Sequence, residues 1–168
     1  MRRLLTILAL SMTLAACATA QRLTAANDVH ALLVSIRDND RATFDAHVDR
    51  DALKREIEQR LVSQGRGAKA GSLGMLGALL APSLADFAGD TLIQPKVFRQ
   101  VAEYYGYKAA TPLPNTLAIA GSLKALPDGR VCATQKKNGP CLLVFTQGPG
   151  GWRLSGFEGD ISMLRIKL

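Results

Sequence analysis

The stretch Cys141-Leu142-Leu143-Val144-Phe145-Thr146-Gln147-Gly148-Pro149-Gly150-Gly151-Trp152-Arg153-Leu154-Ser155-Gly156-Phe157 decides the fold. It holds two apolar runs, Cys141 to Gln147 and Trp152 to Phe157, divided by a Gly-Pro-Gly-Gly cluster that serves only to turn the chain. A connection this short makes the two strands antiparallel, because a parallel pair needs a crossover of a dozen residues or more. Leu142, Leu143, Val144 and Phe145 are apolar toward both faces, which places that strand inside a sheet. Arg130 to Gln135 reads as a further strand, ended by Lys137-Asn138-Gly139-Pro140. From Thr116 to Leu126, Leu117, Ile119, Gly121, Leu123 and Ala125 alternate with Ala118, Ala120, Ser122 and Lys124, the period of a half-buried strand, and Asp128-Gly129 turns it. Residues 116–157 are therefore expected to form a four-stranded antiparallel meander.

Upstream the period changes to that of helices. Val29, Leu32, Leu33 and Ile36 recur at helical spacing between Asn27 and Arg37, with Asn27 or Asp28 as cap. Asp38-Asn39-Asp40 stops this helix and caps a short segment through Phe44 and Val48. Asp49 opens a third, with Leu53, Ile57 and Leu61 on one face, expected to end at Gly65. Pro95 takes the favoured first helical position, Val97, Phe98, Val101 and Tyr104 follow, and Gly106 closes that helix. The nearly uncharged segment Leu73–Leu84 reads as a buried helical hairpin broken at Pro82 or as an apolar flap.

Helices first and strands later give an α+β class, with the helices packed on the sheet. One domain over 28–168 is expected, its helical part at 28–105 and its meander at 116–157. The arrangement resembles the cone-shaped nuclear-transport-factor-like folds, in which helices and a curved sheet enclose a pocket. On that likeness, Leu76, Leu80, Phe87, Tyr104, Tyr105 and Trp152 are candidate pocket-lining residues.

Arg2 and Arg3 precede an apolar stretch from Leu4 to Leu14 and the small-residue site Leu14-Ala15-Ala16-Cys17, the order of a secretory signal. The last four residues resemble the lipobox of bacterial lipoproteins. That resemblance implies a signal peptide over 1–16, acylation of Cys17, a tether over 17–27, and export with anchoring at the membrane. Ala18, where Asp is absent, implies the periplasmic face of the outer membrane in a Gram-negative cell. Ala18-Thr19-Ala20 before Gln21 offers an alternative cleavage point for an ordinary signal. Without residues 1–16 the chain carries 19 Lys and Arg against 14 Asp and Glu. A basic half from Lys96 onward suits either anionic head groups or an ordinary solvated surface. Nucleic acid is not expected as a partner, since no recognition motif is present.

Cys132 and Cys141 are expected to be bridged in an oxidising compartment. Two registers compete. A two-residue turn at Asn138-Gly139 pairs Lys137 with Pro140 and puts Cys132 opposite Phe145, too far from Cys141. A six-residue loop from Thr134 to Gly139 sets the cysteines opposite each other, and is the preferred reading.

The segment from Ile36 to Leu61, with Arg37-Asp38-Asn39-Asp40 and Val48-Asp49-Arg50-Asp51-Ala52-Leu53-Lys54, and the later Leu92-Ile93-Gln94-Pro95, resemble a bacterial family catalogued as domain of unknown function number twenty-nine thirty-nine. The resemblance covers Asp28 to Tyr105 and implies a small envelope protein without supplying an activity.

Chemical signatures are sparse. The glycine-rich stretch Gly65 to Ser72 lacks the Gly-Lys pair and preceding strand of a phosphate loop. Asp40, Asp45, Asp49 and Asp51 lack the glycine and terminal glutamate of a calcium loop, and capping accounts for Asp40 and Asp49. Gly121-Ser122 lacks the glycine framework of a nucleophile elbow, and His30 and His47 read as ordinary helix residues. No catalytic residue, metal site or cofactor is expected. The function expected is non-enzymatic: contact with an envelope protein, or a structural role, at the membrane. The alternative is a small-molecule or lipid-binding module.

Overall fold

The computed structural model describes residues 2–67, 91–104, 106–108, 110–134 and 139–158. Among these residues, five helices precede and flank four strands: α1 Arg2–Asp38, α2 Arg41–Ala46, α3 Arg50–Gly67, α4 Pro95–Tyr104, α5 Thr116–Ser122, then β1 Leu123–Ala125, β2 Val131–Thr134, β3 Cys141–Gly148 and β4 Gly151–Phe157. The strands form one antiparallel sheet in the order β1-β2-β3-β4. The fold is α+β. The candidate pocket residues Leu76, Leu80, Phe87 and Tyr105 lie outside the described residues, as does Leu73–Leu84.

α1 organises the rest. Its stripe Ala25, Ala26, Val29 and Leu32 is buried, and it packs on α2, α4, α5 and the sheet. Ala25 and Ala26 share one buried cluster with Ile119 and Ala120 of α5 and with Phe145, Trp152 and Leu154 of the sheet. The helix does not begin at Asn27 or Asp28, as the capping signals suggested, and it runs through the stretch 17–27 taken as a tether. Helix propensity explains this: Ala18, Ala20, Gln21, Arg22, Leu23, Ala25 and Ala26 are all good helix formers.

Asp38-Asn39-Asp40 ends α1 as expected. Asn39 adopts φ 56°, and the Asp40 amide donates to the Ser35 carbonyl at 2.9 Å, a left-handed closure that asparagine tolerates better than most residues. Asp40 then caps α2, accepting from the Thr43 amide at 3.2 Å and the Thr43 hydroxyl at 2.5 Å. These bonds, the hydroxyl's first, hold the Asp40 carboxyl below its ordinary value of 3.8. Asp49 caps α3 in the same way, accepting from the Ala52 amide at 2.9 Å, and α3 continues to Gly67, two residues past the glycine taken as its end. Pro95 opens α4 and Gly106, at φ 95°, closes it. Phe98 of α4 meets the wholly buried Phe44 of α2 edge to face, with ring centroids 5.3 Å apart.

The strand expected over Thr116 to Leu126 is mostly a helix. Asn115 caps it, its side chain accepting from the Ala118 amide at 2.9 Å. Ile119, Ala120 and Leu123 are the buried positions. Their spacing of one and three residues is helical, and the alternation of 117, 119, 121 and 123 arose because small alanines fill the intervening places. Only Leu123–Ala125 pairs as a strand.

Cys132 and Cys141 are bridged, with Cα atoms 5.5 Å apart. Neither expected register holds. Cys132 pairs with Val144 and Thr134 with Cys141, and an irregularity between Ala133 and Thr134 shifts the ladder by one residue. That bulge re-aims the backbone so that Cys141, beyond the regular ladder, still reaches Cys132. β3 lies inside the sheet as expected, between β2 and β4.

The double substitution Cys132→Ala and Cys141→Ala is expected to cost about 2–3 kcal/mol by the chain-entropy model for so short a loop, read from urea unfolding. Asp40→Ala is expected to destabilise the protein near neutral pH. A depressed carboxylate stabilises fully above its ordinary value of 3.8 and loses that contribution as pH falls through its folded value. The gap between parent and variant unfolding midpoints should therefore close below that value.

Candidate functional site

Among the described residues β4 is the last strand of the sheet, so its outer edge presents backbone groups that no further described strand satisfies. Polar groups of α1, of the connection between α2 and α3, and of α3 converge there. At the start of β4 the Trp152 amide donates to Asp28 Oδ2 of α1 at 2.7 Å, and the indole Nε1 of Trp152 donates to Thr24 Oγ1, one turn earlier on α1, at 3.2 Å. Two residues on, Val48 makes an isolated parallel bridge with Leu154. The Leu154 amide donates to the His47 carbonyl at 2.9 Å and the Asp49 amide donates to the Leu154 carbonyl at 2.9 Å. Arg153 Nη2 donates to the Val48 carbonyl at 2.8 Å. At the far end Arg60 of α3 donates to the Phe157 carbonyl, stacks 4.3 Å from the centre of the Phe157 ring and pairs with Glu56 at 2.8 Å.

His47 sits at the centre of this edge. Its Nδ1 lies 2.8 Å from the Thr43 carbonyl and so carries the proton as donor. Nε2 faces Asp28 Oδ1 at 3.8 Å, a charge contact when the ring is protonated and too long for a direct hydrogen bond. The carboxylate thus holds the Trp152 amide and the imidazole holds the Thr43 carbonyl, and among the described residues no hydroxyl or thiol is hydrogen-bonded to Nε2. Gly151 makes the closure sterically feasible. It adopts φ 111°, and a Cβ there would lie 2.8 Å from Asp28 Oδ2.

The other candidate residues fall elsewhere. Of the six taken for a pocket, only Tyr104 and Trp152 are described, and they occupy different environments: Tyr104 is 53% exposed on α4, while Trp152 is 2% exposed in the core. Trp152 is thus a packing residue with its indole N–H satisfied, as buried tryptophans require. His30 is half-buried on α1. The acidic cluster dissolves into local contacts, with Asp40 and Asp49 capping and Asp45 paired to Arg50 at 2.7 Å. No group of three or more His, Cys, Asp or Glu among the described residues is placed to hold a metal ion. No helix among them is long and apolar enough to cross a membrane.

Asp28, Thr24 and Arg60 were missed by sequence reasoning. The available signal was position: Asp28 and Thr24 flank the apolar stripe of α1 at helical spacing, where a polar side chain implies a partner in the packed layer.

The family model described as "Protein of unknown function (DUF2939)" matches residues 10–101, more than half of the chain, and the chain belongs to that family. The match contains α2, α3 and most of α1 and α4, and with them every residue that closes the β4 edge from the helical side. No curated protein and no solved structure matches the chain.

Asp28→Ala is expected to cost about 1.5–3 kcal/mol, the value of a hydrogen bond to a charged group. Gly151→Ala is expected to cost about 1–3 kcal/mol from its backbone conformation, with the Asp28 clash added. Because the clash needs the carboxylate, the double variant should be more stable than the sum of the two losses implies, by about 0.5 kcal/mol or more in a urea-unfolding cycle.

Proposed function

We propose that this chain is an exported, non-enzymatic bacterial envelope protein, anchored to the membrane by acyl chains on Cys17 and acting there through contact with another envelope protein. One observation carries the reading: among the residues whose burial is described, from Ala18 onward, the first buried one is Ala25, past both Cys17 and Gln21. Cleavage at either point leaves Thr24, Asp28 and every core residue from Ala25 onward in place, which suits the processing that Arg2, Arg3, the apolar stretch and Leu14-Ala15-Ala16-Cys17 specify. A disulfide between Cys132 and Cys141 suits the oxidising compartment to which such a signal leads. The inward use of Asp28, on the Trp152 amide, and of the His47 ring, on the Thr43 carbonyl, suits a scaffold that presents a surface. The apolar-ligand alternative lacks equivalent support, since Trp152 is packed into the core and Tyr104 lies on the surface.

Expression of the full chain in a Gram-negative host, followed by membrane fractionation and intact mass measurement, tests the anchor. The native chain is expected in the membrane fraction with acyl chains on Cys17, and Cys17→Ser is expected to lose the acyl mass. A native product that begins unmodified at Gln21 contradicts the reading.

A further inference from the structure

We propose that α1 joins the acyl anchor to the folded core as one continuous helix, so that the domain stands directly on the lipid surface instead of hanging from a flexible leash; this rests on the anchored reading above. The residues after Cys17 carry the argument. A tether that allows a domain to roam is rich in glycine, serine or proline, whereas residues 17–27 contain none of the three and are helical throughout.

Side chains reinforce that stretch. Arg22 Nε donates to the Ala18 carbonyl and Nη2 to Thr19 Oγ1, each at 3.3 Å. Thr24 Oγ1 donates within the helix, 3.1 Å from the Ala20 carbonyl and 3.0 Å from that of Gln21. The same hydroxyl accepts from the Trp152 indole at 3.2 Å, and the next two residues, Ala25 and Ala26, are wholly buried. The helix is thus fixed to the sheet seven residues after the anchor, about 10 Å along its axis. Leu23, 42% exposed, lies on this short span uncovered by the core. A stalk of that length holds one end of the domain at the head groups and restricts its partner to molecules at the same surface.

Trp152, the only tryptophan of the chain, supplies the probe. The acylated full chain, its mass verified first, is placed in vesicles of phosphatidylethanolamine and phosphatidylglycerol that carry a dansyl head-group lipid. Energy transfer from Trp152 is measured with and without a Gly-Ser insert of about twelve residues between Ala18 and Thr19, whose root-mean-square length is about 19 Å, and is expected to fall by about half or more with the insert. A nitroxide on Leu23→Cys reports on the same stretch without lengthening it, and is expected to be immobilised. Equal transfer with and without the insert, or a freely tumbling nitroxide on an acylated protein, overturns the stalk and leaves the anchor standing. A chain that begins unmodified at Gln21 overturns the anchor, and the stalk with it.

Discussion

The outer edge of β4 is the constraint on which the rest of this structure depends. A terminal strand leaves a row of amides and carbonyls that must bond to water, to another molecule or to the protein's own side chains and loops. Here three segments of the helical half answer that demand in sequence along the strand. Asp28 takes the Trp152 amide, the backbone of His47 and Asp49 brackets Leu154, and Arg60 takes the Phe157 carbonyl. Each contact dictates the course of a helix. α1 must pass the start of β4 for Asp28 to reach it, and α2 must be short enough to bring Val48 alongside Leu154. α3 must leave in the direction that carries Glu56 and Arg60 to the end of the strand.

The hinge between the first three helices follows from the same demand. Two aspartates, Asp40 and Asp49, start α2 and α3 within ten residues of each other, and the left-handed Asn39 supplies the reversal after α1. These local devices orient the segment without any large apolar contribution of their own. The hydrophobic term acts beneath them, where Phe44, Val48 and Leu53 join Val29, Leu32 and Leu154 in one buried cluster. Capping decides where the chain turns, and burial decides that the turned segments stay together. Edge closure and core formation are therefore one event, since Leu154 takes part in both.

What was legible in the sequence was what local chemistry determines. Pro95 and Gly106 mark the two ends of α4, Asp40 and Asp49 cap as their positions imply, and the Gly148 to Gly151 cluster turns β3 into β4. Misreadings came where two periods or two contexts competed. Thr116 to Ser122 satisfies strand alternation and helical spacing at once, and the Asn115 cap with packing against α1 settles it as helix. The cysteines are bridged as expected, yet their register depends on a bulge that no turn signal near Asn138 specifies. Asp28 looked like a cap because aspartates commonly are; its real partner, the Trp152 amide, is more than a hundred residues away, and a contact of that kind is invisible to local pattern. The helical side of this closure lies within the residues that match the DUF2939 model, and the strand it closes lies beyond them.

Native-state hydrogen exchange, resolved by residue, tests the edge closure most directly. Opening of the outer edge alone would expose the Trp152 and Leu154 amides while leaving the β2–β3 ladder intact, so their protection reports the closure itself. Both amides are expected to exchange as slowly as those of Val144 and Phe145 in the interior strand, and Asp28→Ala is expected to release Trp152 first. Rapid exchange of Trp152 and Leu154 in the native protein, at rates typical of an open sheet edge, would contradict it.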